Sequence, residues 1–463
     1  MDSVSIRATS IPGLLILDLP IHRDSRGWFK ENWQRAKMTA LGLPDLEPVQ
    51  HNLVVNDAVG VTRGIHAEPW DKFVSVATGR VFGAWVDLRP GPSYGVVETL
   101  EMGPDRAVYV PRGVGNAYQT LQPATVYSYL VNDHWSAAAK DRYSMVNLAD
   151  PTLSIEWPIP LAQAVISEAD RRHPNLSKAT PARGGRALIL GAHGQLGRAV
   201  AEALPDSVAL GRRDVDLADP ESVQGIDLSD VDAVINAAAY TAVDAAETAN
   251  GRIAAWTTNA IGVAHLARRC RGRRVTLVHI SSDYVFDGTR LEHDESEPLS
   301  PLGVYGQSKA AGDLAVAACE RHYVVRTSWV VGSGRNFVAT MAALADRGAR
   351  PAVVDDQWGR LTFAEDLAAS IVHLLRVGAP YGTYNMTNSG HVQTWADIAA
   401  RVFAARGRST ADIDRVSTER YAAGKTLAPR PPHSTLALDK LAATGFETAD
   451  ADQRLADYLA RIV

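Results

Sequence analysis

The stretch LILGAHGQLGRAV, residues 188–200, decides how the second part of the chain is read. An apolar run leads into glycines at 191, 194 and 197 and then into a helix-forming segment. Glycine permits a tight turn, close backbone approach to a pyrophosphate and close packing of helix on strand. The free amides of the first helical turn would face the phosphates. Such a strand–turn–helix unit normally opens its domain, yet 187 residues precede it here. A separate fold is therefore expected upstream.

The surrounding sequence agrees. From Arg186 onward, apolar runs such as RALILG, DAVINAAA, VTLVHISS and YVVRTSWV alternate with alanine-rich helical stretches. That alternation predicts an α/β Rossmann fold, a doubly wound parallel sheet with crossover helices. Before about residue 170, short β-branched and aromatic runs are separated by Gly, Pro, Asn and Asp, which predicts an all-β sandwich or barrel. FVSVATGRVFGAWVDLRPG reads as two strands around a turn at Thr78-Gly79, and only ENWQRAKMTALG resembles a helix. The polar DRRHPNLSKATPARGG, Asp170 to Gly185, reads as connecting chain. The expected organisation is a β domain over 1–175, a linker over 176–185 and an α/β domain over 186–463.

Of 463 residues, 46% are hydrophobic and 21% charged, with a net charge of −5 and no polybasic block. A nucleic-acid or membrane-surface role gains no support from that balance. The two cysteines, Cys270 and Cys319, form no CxxC pair, which fits a reducing cytoplasm.

After the second strand of the α/β part, VALGRRDVDL places Arg212 and Arg213 where an acidic residue would favour NAD. A guanidinium can pair with a 2′-phosphate, so NADPH is the expected cofactor, with NADH possible and two solvated arginines as the plain alternative. Gln195, Leu196, Asp216, Leu217, Ala237 and Ala238 complete the expected cofactor contacts. In VYGQSK, Tyr305 and Lys309 share a helical face. A lysine ammonium near a phenol favours the phenolate and lowers its pKa. Such a tyrosine can protonate a carbonyl oxygen as hydride reaches carbon. HISSDYVFDG places Ser281 and Ser282 at the end of an apolar strand, where sheets of this kind bind ligands.

GQLG, INAAAYTAVDAAE, SSDYVFDG, PLGVYGQSK, VRTSWVVGSGRNF, DDQWGRLT and RPPHSTL follow one another in the order seen in dTDP-4-dehydrorhamnose reductases. Residues 185 to 463 resemble that family of extended short-chain dehydrogenases. The resemblance implies catalysis by Ser282, Tyr305 and Lys309. It implies substrate contacts from Asp283, Tyr284, Trp329 and Arg430, with a small C-terminal substrate-binding lobe. Arg360-Leu361 departs from the small residue–Pro usual there.

In the β part, His66, Lys72 and Asp170 are the ionisable residues that stand out. His66 and Glu68 form an HxE pair, but no later histidine falls on an expected neighbouring strand, so no metal is expected. DSRGWF, RGIH, VFGAWVDLR, VPRGVGNAY and DPTLSIEWP resemble dTDP-4-dehydrorhamnose 3,5-epimerases, cupin-type sandwiches, over residues 8 to 175. That resemblance implies His66 as base, Asp170 orienting it, Lys72 stabilising an enolate and Tyr129 donating the proton. It implies Arg26 and Arg63 on the phosphates, further substrate contacts from Glu31, Gln50, Asn52 and Asn116, and a homodimer through the β domain. Asn116 stands where that family has histidine, and Gly83 where it has an acidic residue.

The combined expectation is a bifunctional enzyme of dTDP-L-rhamnose biosynthesis acting on a dTDP-sugar. The rivals are the same chemistry on another dTDP-4-keto-deoxysugar and a reductase carrying a non-catalytic binding or dimerisation module.

Overall fold

The protein is described by a computed structural model covering residues 3–135, 137–182, 186–228, 231–271 and 275–462. It divides into two compact units, Met1–Gly185 and Arg186–Val463.

The first unit holds strands β1 (Ser5–Ala8), β2 (Leu15–Asp18), β3 (His22–Asp24), β4 (Gly27–Phe29), β5 (Gln50–Asn56) and β6 (Thr62–Ala67). They are followed by β7 (Lys72–Thr78), β8 (Val81–Asp87), β9 (Val97–Met102), β10 (Arg106–Val110), β11 (Val114–Thr120), β12 (Thr125–Val131) and β13 (Ser144–Met145). One antiparallel sheet runs β1-β2-β10-β7-β12-β5 and a second runs β13-β6-β11-β8-β9. Inward residues of both, including Val74, Val76, Val108, Val81, Trp85 and Tyr118, share one buried cluster. The turn at Thr78-Gly79 is present, with Gly79 at φ +83, but β7 and β8 lie in different sheets. The turn carries the chain across the core rather than closing a hairpin. The helix-like segment forms Arg35–Ala40.

The stretch read as linker is largely part of this unit. Leu176 accepts from the Tyr94 hydroxyl at 3.2 Å, and the Ala182 N–H donates to the Leu88 carbonyl at 2.7 Å. Ala182 is buried among Ala84, Val86 and Leu88. Its small side chain and the apolar Leu176 dock on the sheet, so polar composition alone misled. Residues 183–185 of the expected linker lie outside the described residues.

The second unit is built on a six-stranded parallel sheet whose first five strands are β14 (Arg186–Leu190), β15 (Val208–Leu210), β16 (Val231–Asn236), β17 (Thr276–Ser282) and β18 (His322–Thr327). The order is β15-β14-β16-β17-β18 and then Gly382–Asn385. Apolar clusters cover both faces of this sheet. Strand order reverses at β14, so the crevice beyond the ends of β14 and β16 is the expected ligand position. A third cluster joins helices Phe337–Asp346, Trp395–Ala405 and Ala451–Arg461. No helix among the described residues is long and apolar enough to cross a membrane.

Candidate active sites

In the first unit a pocket of about 250 Å³ takes residues from both sheets. His66 comes from β6, Lys72 from the start of β7 and Tyr129 from β12. Asp170 arrives from the short helix Glu168–Arg171, whose N-cap Ser167 accepts the Asp170 N–H at 3.1 Å. Ser-x-x-Asp at a helix start suits that cap. His66 Nε2 lies 2.9 Å from Asp170 Oδ1. Burial alone would raise the Asp170 carboxyl, but the His66 hydrogen bond and charge outweigh it, and its pKa falls below the usual value.

Two neighbours have contacts that the sequence did not indicate. Glu68 meets Lys72 at 2.7 Å, with both side chains nearly buried. Lys72 therefore meets the pocket as one half of an ion pair. Burial, reinforced by Glu68, pushes the Tyr129 phenol up to about 12. His173, from the residues just after the helix, lies 3.9 Å from Asp170 Oδ1, its ring centroid 5.3 Å from that of His66. A later histidine does reach His66, through a loop rather than a strand. His66, Asp170 and His173 place their ligand atoms within 4.8 Å of one another.

Asn116 and Gly83 are linked through Trp85. The Trp85 indole fills the space over Gly83, where a Cβ would lie 2.4 Å from the ring. Its N–H donates to Asn116 Oδ1 at 2.9 Å, and the Tyr127 hydroxyl donates to the same oxygen at 3.0 Å. Arg63 lines the pocket beside Asn116. Arg26, Glu31, Gln50 and Asn52 do not line it. Arg26 is exposed on the β3–β4 turn and pairs with Asp24; Glu31 pairs with Lys37. Gln50 and Asn52 bond each other on edge strand β5. Family resemblance named these residues but carried no information about which wall of the unit they occupy.

In the second unit the glycine turn folds as read. Gly191 adopts φ +76, and a Cβ there would lie 2.7 Å from the Ala238 nitrogen. A Cβ on Gly197 would lie 2.2 Å from the Gly191 carbonyl, so helix Gln195–Ala203 sits directly on the turn. Gly194 is its N-cap without a side-chain partner, which leaves the first amides for an anion. The Ala237 N–H donates to Leu190 at 3.0 Å, closing the cradle between β14 and β16. Gln195 keeps a buried carbonyl oxygen without a partner. These features fit a dinucleotide. Arg212 and Arg213 follow β15, both exposed, and Arg212 touches Asp216 at 3.3 Å. Leu196 and Leu217 are core residues, so their side chains serve packing.

Ser282 ends β17, and Tyr305 and Lys309 lie on helix Val304–Ala317. Glu247 accepts the Val304 N–H at 2.8 Å and so fixes the start of that helix. The Ser282 hydroxyl donates to Asp283 at 2.9 Å and accepts the Tyr284 N–H at 3.2 Å. Burial pushes the Asp283 carboxyl up to about 6. The Tyr284 and Tyr305 rings meet edge to face at 5.8 Å. Burial and then Asp283 push the Tyr305 phenol up. This reverses the shift read from the YxxxK spacing: burial and Asp283 decide it, and Lys309 Nζ donates to the Ile280 carbonyl at 2.6 Å. Arg430 bonds Asp244 at 2.8 Å, and Trp329 stacks on Trp395 at 3.8 Å. Arg360 bonds the Gly390 and Leu436 carbonyls, tying the C-terminal segment, while Leu361 is core.

A family model for dTDP-4-dehydrorhamnose 3,5-epimerase matches residues 8–178, and one for the RmlD substrate binding domain matches residues 185–463. An RmlC homolog of Streptococcus pyogenes serotype M6 is 49% identical over 175 residues, covering 37% of this chain and 88% of that protein. The chain belongs to both families. The reductase unit is also similar to the dTDP-4-keto-6-deoxy-D-glucose reductase of Streptomyces niveus, 38% identical over 263 residues, 55% of this chain and 89% of that protein. The crystal structure of dTDP-4-dehydrorhamnose reductase from Bacillus anthracis in complex with NADP aligns with a TM-score of 0.56 and 32% identity, covering 61% of this chain and 100% of that one. The epimerase unit thus holds the His66–Asp170 pocket, and the reductase unit the Ser282, Tyr305 and Lys309 cluster.

Proposed function

We propose that the chain catalyses two consecutive steps of dTDP-L-rhamnose formation. The epimerase unit, a cupin-type sandwich, inverts C3 and C5 of dTDP-4-keto-6-deoxy-D-glucose. The reductase unit then reduces the 4-keto group of dTDP-4-keto-L-rhamnose with NADPH. The observation that carries the reading is the His66–Asp170 pair at 2.9 Å, in one pocket with Lys72 and Tyr129.

The 4-keto group acidifies the protons at C3 and C5. Because Asp170 holds His66 Nε2, Nδ1 is the nitrogen left to take such a proton. The Asp170 carboxylate stabilises the imidazolium that results. Lys72, paired with Glu68 at 2.7 Å, faces the enolate oxygen. Tyr129, whose phenol stays protonated at neutral pH, returns a proton to carbon. Arg63 supports phosphate binding.

In the reductase unit Gly191, Gly194 and Gly197 seat the pyrophosphate, and Arg212 and Arg213 favour a 2′-phosphate. The bound cofactor supplies hydride to C4. Tyr305, a neutral phenol, gives its proton to O4, and Ser282 holds that oxygen. Asp283, Tyr284, Trp329 and Arg430 line the sugar side, with the cluster of C-terminal helices as a substrate-binding lobe. Reduction is downhill and draws the epimerisation forward, and fusion keeps both activities at equal concentration.

Exposed Leu53 and Val55 on edge strand β5 support a homodimer through the epimerase unit. Cys270 and Cys319, buried and not joined in a disulfide, suit a cytoplasmic setting. A second reading, an epimerase unit that binds without catalysing, draws on Asn116, whose carbonyl is committed to Trp85 and Tyr127. NADPH oxidation from dTDP-4-keto-6-deoxy-D-glucose, with no other enzyme present, tests the proposal. His66→Asn should stop it, and a separate epimerase should restore it. No oxidation by the unmodified protein until a separate epimerase is added would favour the second reading.

A further inference from the structure

Lys309 ends in a buried polar chain that the proposed chemistry does not use. Lys309, His279 and Asn236 are each at most 1% exposed. The Lys309 Nζ lies 3.3 Å from His279 Nε2, and His279 Nδ1 lies 3.1 Å from Asn236 Nδ2. The main chain fixes which way Asn236 points, because its Oδ1 accepts the Ala238 N–H at 3.2 Å. Its NH2 therefore faces the ring. An amide NH2 only donates, so Nδ1 must offer a lone pair. The ring is then neutral with its proton on Nε2, aimed at Lys309. An ammonium has donors only and would meet that N–H donor to donor. The free amine has a lone pair to accept it, while still donating to Ile280.

We infer that the Asn236–His279 pair biases Lys309 toward its amine and so sets the pH at which charge changes beside Tyr305, which makes His279 a positioning residue of the reductase. The inference rests on the proposed reduction only for its kinetic readout. The other groups around Lys309 are Tyr305 and Asp313 on its own helix, one turn to either side, and Arg326 of β18, which pairs with Asp313 at 3.2 Å. Burial lowers the Lys309 ammonium to about 8 against the opposing pull of Asp313. Burial and the Lys309 charge hold His279 well below the usual imidazole value. Both directions agree with a neutral imidazole beside a lysine that gives up its proton readily.

The test reverses the tautomer with one near-isosteric change. In Asn236→Asp a carboxylate faces Nδ1, the proton moves there, and Nε2 becomes an acceptor for the ammonium. In nitrogen-15 histidine spectra the unmodified holoenzyme should show His279 protonated on Nε2, and the variant should show it on Nδ1. The limb of the kcat profile for NADPH oxidation that belongs to Lys309 should move to higher pH by about one unit or more in the variant. A merely structural role would lower kcat without moving the limb. A wild-type His279 protonated on Nδ1, or a variant limb that stays in place, overturns the inference. The wild-type spectrum decides even if the variant fails to fold or the chain reduces no sugar.

Discussion

Asp170→Asn probes the epimerase chemistry at a single atom pair. As His66 takes a proton from C3 or C5, it becomes an imidazolium 2.9 Å from Asp170 Oδ1. Two unit charges with centres about 4 Å apart interact by about 4 kcal/mol at the effective dielectric near a protein surface. The His66 side chain is 30% exposed, so solvent screens part of this, and about 2–3 kcal/mol is the reasonable share. At 1.36 kcal/mol per decade, that is a rate loss of roughly 30- to 150-fold. An asparagine still accepts from Nε2–H, so the ring should keep its orientation and KM should change little. The assay is solvent deuterium entry at C3 and C5 of dTDP-4-keto-6-deoxy-D-glucose, followed by NMR. Reduction of dTDP-4-keto-L-rhamnose supplied ready-made should be unchanged. Exchange within about three-fold of the unmodified rate would show that the carboxylate does not stabilise the reacting imidazole.

Three further outcomes are expected. Gly191→Ala puts a Cβ 2.7 Å from the Ala238 nitrogen at φ +76; a left-handed non-glycine residue costs about 1–2 kcal/mol, so fluorescence titration should show NADPH binding weakened about five- to thirty-fold, with epimerisation intact. Burial and, after it, the Glu68 carboxylate hold Tyr129 up near 12, so with Glu68→Gln the alkaline limb of epimerisation should move to lower pH. Asp87 and Asp170 are both held below their usual values, Asp87 because bonds from Arg89 and Ser93 outweigh its burial. A lowered folded-state carboxyl contributes stability that is full above the unfolded value of about 3.9 and is lost as pH falls through the folded one. The epimerase unit should therefore melt at progressively lower temperature below about pH 4, and Asp87→Asn should flatten that dependence.

The legible features were those whose physics is local. Gly191 must be glycine because of its φ and the approach of Ala238, both of which follow from a strand–turn–helix pattern. Tyr305 and Lys309 share a face by helical spacing alone. What Lys309 does was not legible, because Ile280, His279 and Asn236 come from neighbouring strands and leave no spacing signal near residue 309. The His66–Asp170 pair spans 104 residues and was reachable only through family resemblance. Glu68 was visible as half of an HxE pair and was weighed only as a metal ligand, a role set aside, whereas its buried pairing with Lys72 is what the structure adds. The turn at Gly79 was plain, but nothing in it tells whether the next strand pairs with the last or crosses to the other sheet. Arg26, Glu31, Gln50 and Asn52 were expected at the substrate from family resemblance, yet the fold places them outside the pocket of their own unit.

The most direct test of two active units on one chain is a single incubation in deuterium oxide. The purified protein is given dTDP-4-keto-6-deoxy-D-glucose and NADPH, and the product sugar is examined by NMR while cofactor oxidation is followed. The expected product is dTDP-L-rhamnose carrying deuterium at both C3 and C5, formed as NADPH is consumed. NADPH left unoxidised until a separate epimerase is added would contradict the account and leave residues 8–178 as a binding module.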